Sequence, residues 1–193
     1  MEFFEKFKQQ QQEVRQNILY RVQVSKGLLD QLDRGNKAAL TELTRNELKK
    51  LGLYEHELVF RALAHPAKNI TEQLLVKYGT DRFREYSSGN LPKKDKNLIP
   101  YRNQGETALL TADTYSVPNL EWALTFTELT LPDGIQKFQN NQLAPFLIMY
   151  KNSHVHTDRT PGNKSGEQWR TTFLTDQKQA LAAIIHFNPP LHK

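Results

Sequence analysis

Apolar residues in the first 33 positions recur at helical steps. Phe3, Phe7, Val14, Ile18, Val22, Leu29 and Leu32, with Ser25 in register, are separated mostly by three, four or seven residues. That spacing keeps them on one face, with glutamine, lysine and arginine over the rest. The pattern predicts a single helix over residues 2–33, stopped by Gly35. Such a helix is about 45 Å long, more than a small domain covers. Phe3, Phe7, Ile18 and Val22 are therefore the expected contact face for a protein partner or for self-association.

Three further helices are expected between residues 36 and 86. Thr44-Arg45-Asn46-Glu47 has the capping-box pattern, in which hydroxyl and carboxylate each satisfy a backbone donor, and Gly52 closes the helix. Tyr54 to Ala64 carries Leu58, Val59, Ala62 and Leu63 on one side and stops before Pro66. Asn69 is the expected cap of the next helix, with Ile70, Leu74, Leu75 and Tyr78 as its apolar face and Gly79 as its end. Ala62 to Asp81 resembles the helical half of an ankyrin repeat. It lacks that repeat's Thr-Pro-Leu-His opening, and no second copy follows at a period near 33 residues, so nothing functional is carried over.

The pattern then changes. Ser87 to Lys96 is polar, basic and rich in turn formers, which marks residues 87–105 as a linker. Beyond it the spacing favours strands. Thr107–Thr111, Leu143–Tyr150 and Gln168–Leu174 are strand-like. Trp122, Leu124 and Phe126 alternate with smaller residues, either as a bulged strand or as a short helix from Asn119 to Phe126. Pro132-Asp133-Gly134 is the expected turn of a hairpin returning through Ile135 to Phe138. Thr175 or Asp176 should cap a last helix whose inner face is Ala180, Leu181, Ile184 and Ile185, ended by Pro189-Pro190. The expected class is α+β: about four N-terminal helices, then an antiparallel sheet with a C-terminal helix. The expected division is a helical region over 1–86, the linker, and an α+β region over 106–193, with one continuous domain as the alternative.

Composition narrows the chemistry. The 193 residues include no cysteine, which removes disulfides, thiolate metal sites and cysteine nucleophiles. The N-terminus lacks the basic-then-apolar order of a signal peptide, and no apolar run reaches membrane-spanning length. A cytoplasmic protein, or one secreted without a cleaved leader, is expected. The formal charge of +5 is a mild field. The densest positive patch, Arg82, Arg84, Lys93, Lys94 and Lys96, is the expected anion contact and would give weak attraction to nucleic acid.

Candidate chemistry concentrates in two places. In Lys151-Asn152-Ser153-His154-Val155-His156-Thr157-Asp158, a straight strand would put His154, His156 and Asp158 on one face. Neighbours at i and i+2 lie about 6.5–7 Å apart, so two imidazoles and a carboxylate suit a divalent metal. The full span is about 13 Å, so a bend or a further donor such as His186 or Glu167 is required. The His-Val-His triplet resembles the paired histidines of HUH single-strand nucleases and relaxases. That likeness implies a metal-dependent phosphodiesterase with a nucleophilic tyrosine, for which Tyr101, Tyr115 and Tyr150 are the candidates. The second place is Tyr101–Gly105, Thr114–Phe126 and Glu167, which loosely resembles the arginine, Ser-Thr-Ser and glutamate elements of ADP-ribosyltransferases. The resemblance implies that Arg102 and Ser116 hold NAD and that Glu167 activates the acceptor. Here the triplet is Thr-Tyr-Ser, Arg102 and Ser116 are close in sequence, and Glu167-Gln168-Trp169 replaces the usual paired acidic motif. Nucleotide-cradling glycine loops and the Gly-x-Ser-x-Gly elbow are absent, and His56, His65 and His192 are expected at the surface or at helix ends.

The leading expectation is a non-enzymatic interaction or regulatory protein without cofactor, whose composition resembles that of a low-GC bacterium and is compatible with an effector role. The metal-dependent nuclease is the alternative, with a divalent metal as its cofactor, and the ADP-ribosyltransferase is a lesser one.

Overall fold

The run Leu143–Lys151 is apolar on both of its faces, and it forms the central strand β4, buried from Leu143 through Tyr150. In the computed structural model, which describes residues 18–80, 114–116, 118–159 and 169–191, β4 is flanked by β2 (Leu58–Pro66) and β7 (Leu181–Asn188). Beyond β7 lies β1 (Leu19–Gln23), so the order is β1-β7-β4-β2. The sheet is mixed: β2–β4 and β4–β7 are antiparallel, while β1 runs parallel to β7. β4 meets β7 only from Phe146 onward. The missing N–H of Pro145 thus falls where β4 has a neighbour on one side only. A second, antiparallel sheet has the order β3-β6-β5, from Thr114–Ser116, Trp169–Phe173 and Val155–Arg159.

Helices cover the two faces of the larger sheet unequally. One face meets α1 (Lys26–Asp33), α2 (Ala38–Lys50), α4 (Leu120–Thr125) and α5 (Pro132–Gln139). Leu29, Leu40, Leu48, Leu124, Ile135 and Phe138 pack there on Val22, Phe60, Leu147, Met149, Ile185 and Phe187. On the other face, Leu75 of α3 (Glu72–Thr80), Val155, Phe173 and Ala180 of the one-turn α6 (Gln177–Ala180) pack on Val59, Phe146, Ile148, Tyr150 and Ile184. The second sheet therefore closes the face opposite the four helices.

The structure corrects several expectations. Residues 18–33 are not part of one helix: Leu19–Gln23 is a strand, and α1 starts afresh after Ser25, whose hydroxyl accepts from the Leu28 N–H at 3.1 Å. Val22 and Val24 are β-branched and buried, which suits a strand. Thr44 is no cap. It lies inside α2, where its hydroxyl donates to the Leu40 carbonyl at 2.8 Å, and Glu47 pairs instead with Lys50. Leu58–Pro66 is a strand rather than a helix, and so is Leu181–Asn188. Both are buried on two faces, so their near-continuous apolar runs also match a helical template. Asn69 ends a short 3-10 turn, and Gly79 lies within α3 rather than closing it.

Other expectations hold. Gly35 and Gly52 take positive φ just after α1 and α2. Asn119 caps α4, accepting from the Trp122 N–H at 3.0 Å, so the helical alternative for that segment is the correct one. The expected hairpin turn is instead the first turn of α5, with Pro132 leading it. Gly134 is required there, since a Cβ at that position would sit 2.0 Å from the Glu128 carbonyl oxygen. The α+β class stands, with the sheet taking two strands from before residue 81 and two from after residue 142.

Candidate active site

Polar residues gather on the face that carries the second sheet. On β2 the alternation places Val59, Arg61, Leu63 and His65 together, opposite the side chains that face the four helices. Arg61 is 6% exposed, and His65 is fully buried with its ring stacked on Phe146, centroids 5.7 Å apart. His65 is thus a core residue and not the surface histidine expected.

Tyr150 is the hub of this face. Its hydroxyl donates to the Gly79 carbonyl at 3.1 Å and accepts from the Gln177 side-chain amide at 3.1 Å; that amide also donates to the Gly79 carbonyl at 3.2 Å. The phenol edge meets Phe173 of β6, centroids 5.0 Å apart. Complete burial pushes the hydroxyl up to about 12, while the charge of Arg61 and the bond from Gln177 pull the other way. Gly79 lets α3 settle this close: a Cβ there would stand 2.8 Å from Ile184 Cδ1 and 3.1 Å from Leu181 Cδ2.

The second sheet brings distant sequence together beside this cluster. Ser116, the last residue of β3, pairs with Trp169, the first residue of β6. Glu167 precedes Trp169 by two positions in the chain. β2, the strand of Arg61, also contacts β3. An arginine strand, the Thr-Tyr-Ser strand and the strand that follows Glu167 are therefore neighbours.

The other predicted residues are placed differently. His154 closes a 3-10 turn (Asn152–His154), whereas His156 lies in β5 opposite Thr172, so the two histidines are not on one straight strand. His154 Nδ1 is 3.0 Å from the Ser153 hydroxyl, and His156 is exposed. Asp158 pairs in register with Arg170. Among the described residues no three His, Asp or Glu side chains cluster as metal ligands. His186 lies in the middle of β7, opposite Phe146 and Arg21, well along the strand from Leu181, the residue paired with Tyr150. Val22 is buried against the four helices, and Ile18 is half-buried on the opposite face. Phe3, Phe7, Arg82, Arg84, Lys93, Lys94, Lys96, Tyr101, Arg102, Glu167 and His192 lie outside the described residues, as does the strand expected over Thr107–Thr111.

Arg61 is the candidate that sequence patterns missed, and they name Tyr150 only as a candidate nucleophile, not as the buried hub of this face. Both sit within apolar runs, and in a buried strand a lone arginine is the informative residue. Comparison with protein-family models, curated proteins and solved structures finds no match for this chain.

Proposed function

We propose that the chain is an NAD-consuming ADP-ribosyltransferase in which Arg61, rather than Arg102, acts with Ser116 and Glu167. The observation that carries this reading is the strand arrangement. Ser116 is paired with the residue two places after Glu167, and the strand of buried Arg61 lies against β3. The resemblance names Arg102 for the arginine element; Arg61 replaces it because β2 is the arginine-bearing strand that lies against β3.

The chemistry divides among the three residues. A guanidinium presents a fork of donors suited to the diphosphate of NAD, and a site screened from water strengthens that attraction. The glycosidic bond from ribose C1′ to the nicotinamide nitrogen breaks, and its electron pair leaves with nicotinamide, which becomes neutral. Positive charge develops on the ribose ring. A lone pair from the acceptor forms the new bond to C1′, and the acceptor's proton passes to the Glu167 carboxylate acting as general base. A nearby carboxylate also stabilises the developing positive charge.

The test is nicotinamide release from NAD by the purified chain, with adenylate-labelled NAD used in parallel to detect transfer to protein. Arg61→Lys and Glu167→Ala, each checked for a native circular dichroism spectrum, should lose at least about a hundredfold in rate. Arg102→Ala should retain the parent rate. Absence of NAD binding by calorimetry together with absence of nicotinamide release would remove this reading.

A protein partner is a second reading, favoured by one observation. Trp122 on α4 and Phe126 at its C-terminal cap stand exposed, edge to face with centroids 6.1 Å apart. Aromatic pairs of this kind are enriched at the centres of protein interfaces. Loss of partner binding in Trp122→Ala with nicotinamide release retained would separate docking from chemistry.

A further inference from the structure

We propose that His186 and Arg21 form an acid-operated release for β1, the strand at one edge of the larger sheet. The cross-strand register sets the geometry. Arg21 of β1 and His186 of β7 are direct partners on adjacent parallel strands, and Phe146 of β4 is the partner of His186 on its other side. Alternation puts Arg21 with Leu19 and His186 with Ile184, so both side chains stand on the face that carries the second sheet. His186 is half-buried, so a proton added there gains little from water. Protonation would set two cations directly opposite each other, an arrangement that destabilises a strand pair.

The surrounding groups decide which seam yields. From β4 the neighbour is the apolar Phe146, and His65 of β2 lies beyond it, stacked on the Phe146 ring. From α3 the described charged group is Glu72, which is ion-paired with Arg21. The two members of that pair are 67% and 51% exposed, so the carboxylate offsets the guanidinium charge only weakly. Burial, and after it the charge of Arg21, accordingly hold the imidazole below its ordinary 6.5. β4 is held by strands on both sides, whereas β1 is held by β7 alone among the described residues. β1 is five residues long. Its seam with β7 is closed at one end by the Val24 N–H donating to the Asn188 carbonyl and at the other by the Ile184 N–H donating to the Ile18 carbonyl, each at 2.8 Å. A protonated His186 is therefore relieved with least disruption when β1 leaves β7. That step returns the imidazole to water, separates the two charges and bares the outer edge of β7.

Native-state hydrogen exchange on the full chain, in sub-denaturing urea at pH 7.5 and pH 5.0, reads this seam. The Val24 and Ile184 amides report on β1–β7, and amides of the β2–β4 ladder report on the centre of the sheet. After correction for the intrinsic pH dependence of exchange, Val24 and Ile184 should exchange through an opening with a weaker urea dependence than the β2–β4 amides show. That opening should be at least about threefold more populated at pH 5.0 than at pH 7.5, within the limit of about tenfold per pH unit below 6.5 that a single proton sets. In His186→Gln the opening should be the same at both pH values, and in Arg21→Gln its acid response should shrink.

Val24 and Ile184 amides that follow the β2–β4 amides along one urea line at both pH values would overturn the release, because β1 would then open only with the whole sheet. A local opening equally populated at both pH values in the parent would overturn it too, as would an acid response that survives in a folded His186→Gln. If His186→Gln does not fold, Arg21→Gln decides: an undiminished acid response there overturns the opposition of His186 and Arg21.

Discussion

His186 sits mid-strand in β7, with Phe146 opposite on one side and Arg21 opposite on the other. Arg21 is itself paired with Glu72 of α3. Burial lowers the imidazole below its ordinary 6.5, and the positive charge of Arg21 lowers it further. In the unfolded chain the ordinary value returns, so near pH 6 the unfolded state binds more protons than the folded one. Stability then rises with pH. This contribution is fully present above about pH 6.5 and is lost as pH falls through that value toward the folded one. Urea unfolding of the parent at pH 7.5 and pH 5.0 should show a fall in stability that His186→Gln reduces. An equal fall in parent and variant would exclude His186 as a source of the acid sensitivity. In the sequence the residue is named only as a further candidate metal donor; its actual setting is created by β1 and β4, which are remote in the chain.

At the scale of elements, β1 decides whether Val22 belongs to a core or to a contact surface. A helix over 2–33 would place it on an outward stripe; β1 buries it against the α1–α2 layer at 5% exposure. Val22→Ala should therefore cost about 1–2.5 kcal/mol, from the lost methyl groups and the cavity they leave. Gln23→Ala, exposed on the same strand, should stay within about 0.5 kcal/mol. Chemical denaturation of the two variants measures both, and equal midpoints would return Val22 to the surface. The same strand shows what was legible in the sequence. α2, α3, β4 and β6 were, though not in their ends: Leu48 and Leu75 follow a helical period and Leu143–Tyr150 is a short continuous apolar run, but Thr44 and Asn69 are not the caps the pattern named. β1, β2 and β7 were not. Val22, Val59 and Ile184 fit a helical repeat by spacing, and β-branching alone signalled the strand. Of the proposed site, Ser116 and Glu167 are named by a motif likeness alone. Arg61 was missed because its significance lies in the neighbour β3, which no local pattern names.

At the scale of the molecule, the strand order governs how the halves depend on each other. β1 is joined to the sheet only through β7, and β2 only through β4 among the described pairings. A fragment ending near residue 86 would hold β1 and β2 with no strand between them. A fragment beginning near residue 106 would hold β4 and β7 with both outer neighbours removed. Each would expose the apolar faces that Phe60, Leu147, Ile185 and Phe187 now bury, and two long strand edges as well. Neither fragment 1–86 nor 106–193 should show cooperative urea unfolding alone, while the two co-expressed should recover a single transition close to that of the whole chain. Circular dichroism across a urea series reads this directly. A cooperative transition in the isolated 106–193 fragment would mean that β4 and β7 form a core without β1 and β2, and that the outer strands are additions to it. The proposed transfer chemistry takes Arg61 from the first half and Ser116 and Glu167 from the second, so it requires both halves together. Nicotinamide release, if restored by co-expression but absent from either fragment, would locate the reactive site at the seam between β2 and its neighbours.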